Sequence, residues 1–229
     1  MFVGHYGVAF AARRVERRIP LWLFFIAVQF VDILWCGFIL LGIEKVRIVP
    51  GYTAASPLDF TYYPYTHSLI GSIGWAGVAF VLYRLFYRYK GSPKPALVLA
   101  VAVLSHWFLD LLVHTRDLDI INETFKVGFG LWNYPVVELI VEFAILFAGL
   151  VYYLRGNRDL GRKRRVGMIV FAVIMALIQL SSAFGPPPPS VKVIGIAGLI
   201  MYALFAVAAF LLEPRSGKGD VAVPVAKAG

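Results

Sequence analysis

Only one cysteine, Cys36, occurs in the 229 residues, which excludes an intramolecular disulfide framework and a cysteine-rich zinc site. A metal ion in this chain would have to be held by histidine and carboxylate. Charge is scarce as well: charged residues make up 15% of the chain, against about 25% in soluble domains. The acidic sign is the scarcer, with 13 residues against 22 lysines and arginines, for a formal net charge of +9. No basic recognition helix or aromatic RNA-binding strand accompanies that excess, so no nucleic-acid partner is expected. The opening MFVGHYGVAFAARR puts its apolar residues before its arginines, the reverse of a secretory signal, and no cleavage is expected.

What fills the chain instead is apolar, 60% hydrophobic with a mean hydropathy of +0.76. Runs of about 20 residues, the length that crosses a bilayer, can be drawn at 20–43, 66–86, 95–114, 134–155, 166–185 and 191–212. They predict an all-α polytopic membrane helix bundle of about six transmembrane helices. Between them, RRVERR (13–18), Arg84, Arg88, Lys90 and Lys94, and RGNRDLGRKRR (155–165) are basic, whereas 44–65, 115–133 and 186–190 are neutral, acidic or proline-rich. By the positive-inside rule the basic connections are cytoplasmic, which places both termini in the cytoplasm. Residues 1–215 read as one integral-membrane domain and 216–229 as a disordered tail with little to bury.

Against this background the ionisable residues stand out, because each costs roughly 2–3 kcal/mol or more to place in lipid. SHWFLDLLVHTRD (105–117) carries His106, Asp110 and His114 at successive i, i+4 positions. At 1.5 Å per residue, His106 lies about 12 Å and Asp110 about 6 Å below the outer end of the third span, with Asp32 about 18 Å into the first. His67 opens the second span from outside, and Glu138 and Glu142 enter the fourth at about 6 and 12 Å. His5 joins them if residues 1–12 form a re-entrant or interfacial half-helix, where Gly4 and Gly7 would allow close packing. All four histidines and four acids then share one polar region. That donor set suits zinc, or a harder divalent ion such as manganese or magnesium. His106 and His114 are about 12 Å apart on a straight helix, so one ion would reach all of His106, Asp110 and His114 only with difficulty, and two ions bridged by Asp110 are the alternative. Asp117 reads as a solvated loop acid, and Trp22, Trp75, Trp107, Tyr62, Tyr63 and Tyr65 as interfacial belt and packing. Ser68 and Ser105 read as supporting donors or packing groups, and KVGFGLWN (126–133) as a loop over the outer mouth.

The order GH (4–5), Asp32 late in the first apolar segment, THS (66–68) and SHWFLD (105–110) resembles the family of membrane-bound metal-dependent hydrolases, also known as LexA-binding inner-membrane-associated hydrolases. The motif-bearing part covers about residues 1–155. The resemblance implies metal-site roles for His5, Asp32, His67, His106 and Asp110. The chain departs from the family in reading DILW (32–35) where a second acid and a histidine commonly follow the first aspartate, and YPY (63–65) where HRG commonly precedes THS. His114, Glu138 and Glu142 are the groups placed to compensate.

The expectation is therefore a membrane-embedded hydrolase that uses a metal-activated water. His5, Asp32, His67, His106, Asp110 and His114 would serve as ligands, and Glu138 or Glu142 would carry the proton. A site in the outer leaflet points to a membrane lipid, or a lipid-linked ester or phosphoester, as substrate. Two other classes fit the same residues: a divalent-cation or proton-coupled transporter, and a noncatalytic membrane scaffold using the basic 155–165 loop. Oligomeric state is not legible.

Overall fold

The structure is a computed structural model that describes residues 1–87, 91–121, 124–158 and 160–213. The expected tail at 216–229 and the basic residues Arg88 and Lys90 lie outside the described residues. In chain order the helices are α1 (Gly4–Val15), α2 (Leu21–Val28), α3 (Phe30–Leu40), α4 (Pro64–His67), α5 (Leu69–Phe86), α6 (Lys94–Val113), α7 (Pro135–Gly156), α8 (Arg162–Phe184) and α9 (Val191–Leu212). Two small antiparallel pairs interrupt them: β1 (Lys45–Ile48) with β2 (Leu58–Tyr62), and β3 (Leu118–Asp119) with β4 (Lys126–Val127).

Five of these helices, α5 to α9, are long and apolar enough to cross a membrane; α2 and α3, bent by 52° against each other, make a sixth if taken as one broken span. Their length and composition describe a multi-pass membrane protein. The expected span at 20–43 is thus divided at Gln29, whose backbone leaves the helical region and whose side-chain amide donates to the Phe2 carbonyl at 3.1 Å. The expected plain loop at 44–65 contains a hairpin. KVRI alternates outward and inward, and its Val46 pairs with Phe60 so that both side chains are buried.

The half-helix expected at 1–12 is α1. Its 12 residues span about 18 Å, too short to cross, and it is buried inside the bundle, mainly against α7. A helix that ends inside a membrane protein leaves its first N–H groups without intrahelical partners, and no water is at hand to take them. Here Glu142 of α7 takes two: it accepts from the Phe2 N–H at 2.7 Å and from the Gly4 N–H at 2.8 Å. At the other end Arg14 lies over the Tyr152 ring and donates to the Tyr152 carbonyl, and Arg13 pairs with Glu213.

The crossing of α1 and α7 depends on two glycines. A Cβ on Gly7 would overlap the carbonyl of Ile145, and one on Gly149 would overlap the carbonyl of Gly7. Both obstacles are backbone, so neither can rotate aside. Gly149→Ala should therefore lower the thermal stability of the detergent-solubilised protein by about 1–3 kcal/mol. Gly74→Ala, where a Cβ meets nothing within 4 Å, should leave the melting curve in place.

Candidate metal centre

Asp32 stands in the first turn of α3 just past the bend, and Asp110 in the last turn of α6. The two carboxylates meet inside the bundle, and four imidazoles surround them. His106 Nε2 lies 3.1 Å from Asp110 Oδ2 and 3.5 Å from Asp32 Oδ1. His67 Nε2 is 3.2 Å from Asp32 Oδ1 and 3.7 Å from Asp110 Oδ2. His5 Nε2 is 3.2 Å from Asp110 Oδ1, and His114 Nε2 is 3.9 Å from Asp110 Oδ2. The α-amino nitrogen of Met1 lies 2.8 Å from Asp110 Oδ1.

The other ring nitrogens decide what these Nε2 atoms are. His106 Nδ1 is 2.8 Å from the Val28 carbonyl, which can only accept, so Nδ1 carries the proton. His67 Nδ1 is 2.7 Å from Thr66 Oγ1, whose own hydroxyl donates to Glu44 Oε2 at 2.7 Å; the imidazole must therefore donate to the hydroxyl. Glu44 also accepts the Tyr65 and Thr66 N–H groups. Burial pushes the Glu44 carboxyl above its ordinary pKa, with the hydrogen bonds from Thr66 opposing. His114 Nδ1 is 3.1 Å from Asp117 Oδ1 and 3.4 Å from the Tyr63 hydroxyl. In their neutral forms all three rings have Nδ1 committed outward and an Nε2 lone pair turned inward, onto carboxylate oxygens that can only repel it. His106 Nε2 and both nitrogens of His5 are buried with no hydrogen-bond partner among the described residues. A lone pair facing a carboxylate is the arrangement a divalent cation resolves, and an imidazole whose far nitrogen donates to a carbonyl or carboxylate is the usual ligand form. The residues present fit zinc or manganese.

Two overlapping sets bring their ligand atoms within 4.8 Å of one another: His5, His106 and Asp110, and Asp32, His67 and His106. The His5 and His106 rings stack in parallel with centroids 4.0 Å apart, so each faces a different oxygen of Asp110.

Several placements differ from the sequence reading. His114, expected among the ligands, lies one turn beyond Asp110 with its N–H still bonded to the Asp110 carbonyl at 2.9 Å, and it belongs to neither ligand set; its extended ψ of 145° turns the chain that follows off the helix axis. Asp117 is buried beneath His114 rather than solvated. Tyr63 and Trp107 are also buried rather than interfacial, Trp107 donating to the Asp119 carbonyl. Ser68 and Ser105 do not differ from the reading: Ser68 caps α5 and Ser105 donates to the Ala102 carbonyl. Of the two glutamates expected to move protons, Glu142 is held by the N–H groups of α1. Glu138 accepts from Gln179 at 3.4 Å, and its Oε2 is without a hydrogen bond among the described residues. Neither lines the cleft that leads to the aspartates.

That cleft has a volume of about 340 Å³ and reaches Asp32, Asp110, His67 and His114. Trp132, from the segment 126–133, lies on its wall, 4.3 Å from the His114 ring and stacked on Phe60. Tyr202 is the residue the sequence reading missed: its hydroxyl donates to Asp32 Oδ2 at 3.0 Å, leaving Oδ1 to face His67 and His106. The signal was available, since Tyr202 and the near-terminal Lys192 are the only polar side chains in α9 apart from small residues.

Comparison with family models, with curated proteins and with solved structures finds no match to this chain. The functional argument therefore rests on the residues themselves.

Tyr202→Phe keeps the ring and removes the hydrogen bond that turns Asp32. It should weaken zinc or manganese binding about 10- to 100-fold, the usual consequence of losing a group that orients a ligand, as read by calorimetric titration of the metal-stripped protein. Thr66→Val should do the same through His67.

Proposed function

We propose that the chain is a membrane-embedded metal-dependent hydrolase. The observation that carries this reading is the common orientation of His67, His106 and His114: Nδ1 engaged outward, Nε2 turned onto Asp32 and Asp110, at the end of a cleft large enough for a substrate group. The order of GH, Asp32, THS and SHWFLD, which resembles the membrane-bound metal-dependent hydrolases, falls on the same residues and agrees with it.

Asp32, His67, His106 and Asp110 would hold the ion, with His5 on the second oxygen of Asp110. When bound, a divalent cation would supply Lewis acidity and bring the pKa of a water down towards about 7. The remaining roles fall to the chain's own groups. His114 is the imidazole farthest from the shared carboxylates, it lines the cleft, and Asp117 fixes its tautomer with Nε2 free. His114 Nε2 would take the proton from the attacking water and return it to the leaving group, with Asp117 supporting the imidazolium, the division of labour of a general base and its orienting carboxylate. This moves the proton-transfer role from Glu138 and Glu142 to a residue that faces the cleft. Trp35, Phe60 and Trp132 form an aromatic wall that keeps bulk water away.

The reading includes a substrate of lipid character, an inner-membrane location and a cytoplasmic face at the Arg13–Arg14 end of α1 and the Glu213 end of α9; Met1 itself is buried beside Asp110, so the expected cytoplasmic N-terminus is not kept. Basic residues gather at the end formed by Arg13, Arg14 and α8's first turn, which the positive-inside rule assigns to the cytoplasm. The tightly packed apolar cluster of Phe10, Phe25, Tyr153, Phe171 and Phe205 fills that half of the bundle. It favours hydrolysis over ion transport, which needs a polar path through to that side.

Metal content by inductively coupled plasma mass spectrometry, wild type beside Asp110→Asn, tests the assignment. Near-stoichiometric ion lost in the variant, together with loss of turnover on a lipid-ester panel, is expected; full metal and full activity in Asp110→Asn would sink it. Asp117→Asn should retain its metal and lose about 10²- to 10⁴-fold in turnover, the range of general acid–base contributions.

A further inference from the structure

The seam between α8 and α9 is closed at one end and open at the other. In the half nearer the arginines, Phe171 meets Phe205 edge to face with centroids 5.7 Å apart, and Met168, Ala172 and Met175 are buried opposite Ala206 and Ala209. Over their whole lengths α8 leans chiefly on α7, and α9 on α2 and α3, and in the hairpin half a cleft lies between the two helices. There Ile178 and Ser182 of α8 and Ile194, Ala197 and Met201 of α9 line the cleft that ends at Asp32 and Asp110.

The same Leu58, Ile178, Ser182 and Ile194 also border a second cavity of about 780 Å³, walled by residues 51–57 and by Pro186–Pro188. The two volumes fall in the range of ligand pockets, about 300–1,000 Å³. Apart from Asp32 and Asp110, no charged side chain lines the inner cleft, and none lines the outer cavity among the described residues. An anionic water-soluble ligand finds no counter-charge on the way in. An alkyl chain finds an apolar wall that continues into the exposed apolar faces of α8 and α9, such as Val173, Leu177 and Leu204, which in a bilayer face lipid.

We propose that the gap between α8 and α9 in the hairpin half is a lateral port that seats one acyl chain of a bilayer lipid. The lipid's polar junction then lies beside Asp32 and Asp110, and its headgroup in the uncharged outer cavity. The seating stands on the cleft; only the fate of the junction rests on the hydrolase reading. Pro186–Pro188 at the α8–α9 turn would hold the port at fixed width, since proline backbone has one φ well.

The experiment is photolabelling of the full chain in nanodiscs of phosphatidylglycerol and phosphatidylethanolamine. The probe is phosphatidylethanolamine, whose headgroup carries no net charge, with a diazirine on one acyl chain and labelled residues mapped by mass spectrometry. Label should concentrate on Ile178, Ala197 and Met201 and fall about tenfold or more in Ala197→Trp, with metal content and melting temperature as in wild type. Ile178→Trp narrows the same port from the opposite helix and should give the same loss if Ala197→Trp does not fold. Label spread evenly over Val173, Val207 and Leu211, or undiminished in both variants, would overturn the port. Asp110→Asn separates the two readings: port labelling in a wild type that neither binds metal nor turns over lipid keeps the port and sinks the hydrolase. Metal and turnover lost in Asp110→Asn but accompanied by even labelling in wild type sink the port alone.

Discussion

Two aspartates inside a greasy bundle set the terms for the rest of the molecule. Asp32 and Asp110 have no lysine or arginine within ion-pair distance among the described residues. Buried carboxylates must be compensated or they neutralise. Imidazoles come from α1, α4, the middle of α6 and the residue just beyond α6, and every one of those elements is shaped to deliver its ring. The bend at Gln29 brings the Val28 carbonyl to His106. The end of α6 turns the chain after His114 so that Asp117 comes back to its ring. The short α4 sets Thr66 between His67 and Glu44. The polar cluster is thus the reason for the fold's irregularities, each of which breaks a regular helix where a donor or acceptor is needed.

A second layer of groups gives the cluster its direction. Val28, Thr66 with Glu44, Asp117 and Tyr202 each take one valence of an inner residue and leave the other facing the centre. Preorganisation of this kind fixes which atom of each ring is available before any ligand arrives. The bare imidazoles and carboxylates alone would permit several tautomers and rotamers.

The inner layer was legible in the sequence and the outer one largely was not. Ionisable residues in apolar runs carry an energetic signature, and helical rise gives their depth, so His5, Asp32, His67, His106 and Asp110 could be gathered without coordinates. α9 falls at 191–212 and α7 within a residue of its drawn limits for the same reason. The supporting groups lie where periodicity has nothing to say. Glu44 and Asp117 sit in connections, where a charged residue is ordinarily solvated, and β1 is only four residues long, too short for its alternation to register. The turn that carries Asp117 back to His114 starts from one ψ angle. Glu142 was found by depth, but its engagement with Phe2 and Gly4 depends on where α1 starts, and that is a tertiary fact.

The docking of α1 has a bearing on the order in which the molecule can be made. Its first N–H groups are satisfied by Glu142, its glycine face is matched to Gly149, Arg14 reaches Tyr152, and Arg17 just beyond it reaches Gly156, all on α7. Residues 1–15 leave the ribosome well before α7, yet the surface that receives them is complete only after residue 156 has been synthesised and inserted. Until then the amphipathic opening segment has to wait at the membrane surface, and His5 stays outside the cluster. Assembly of the polar centre is therefore a late event in biogenesis, gated by translation of α7, and nascent chains shorter than that hold an incomplete centre.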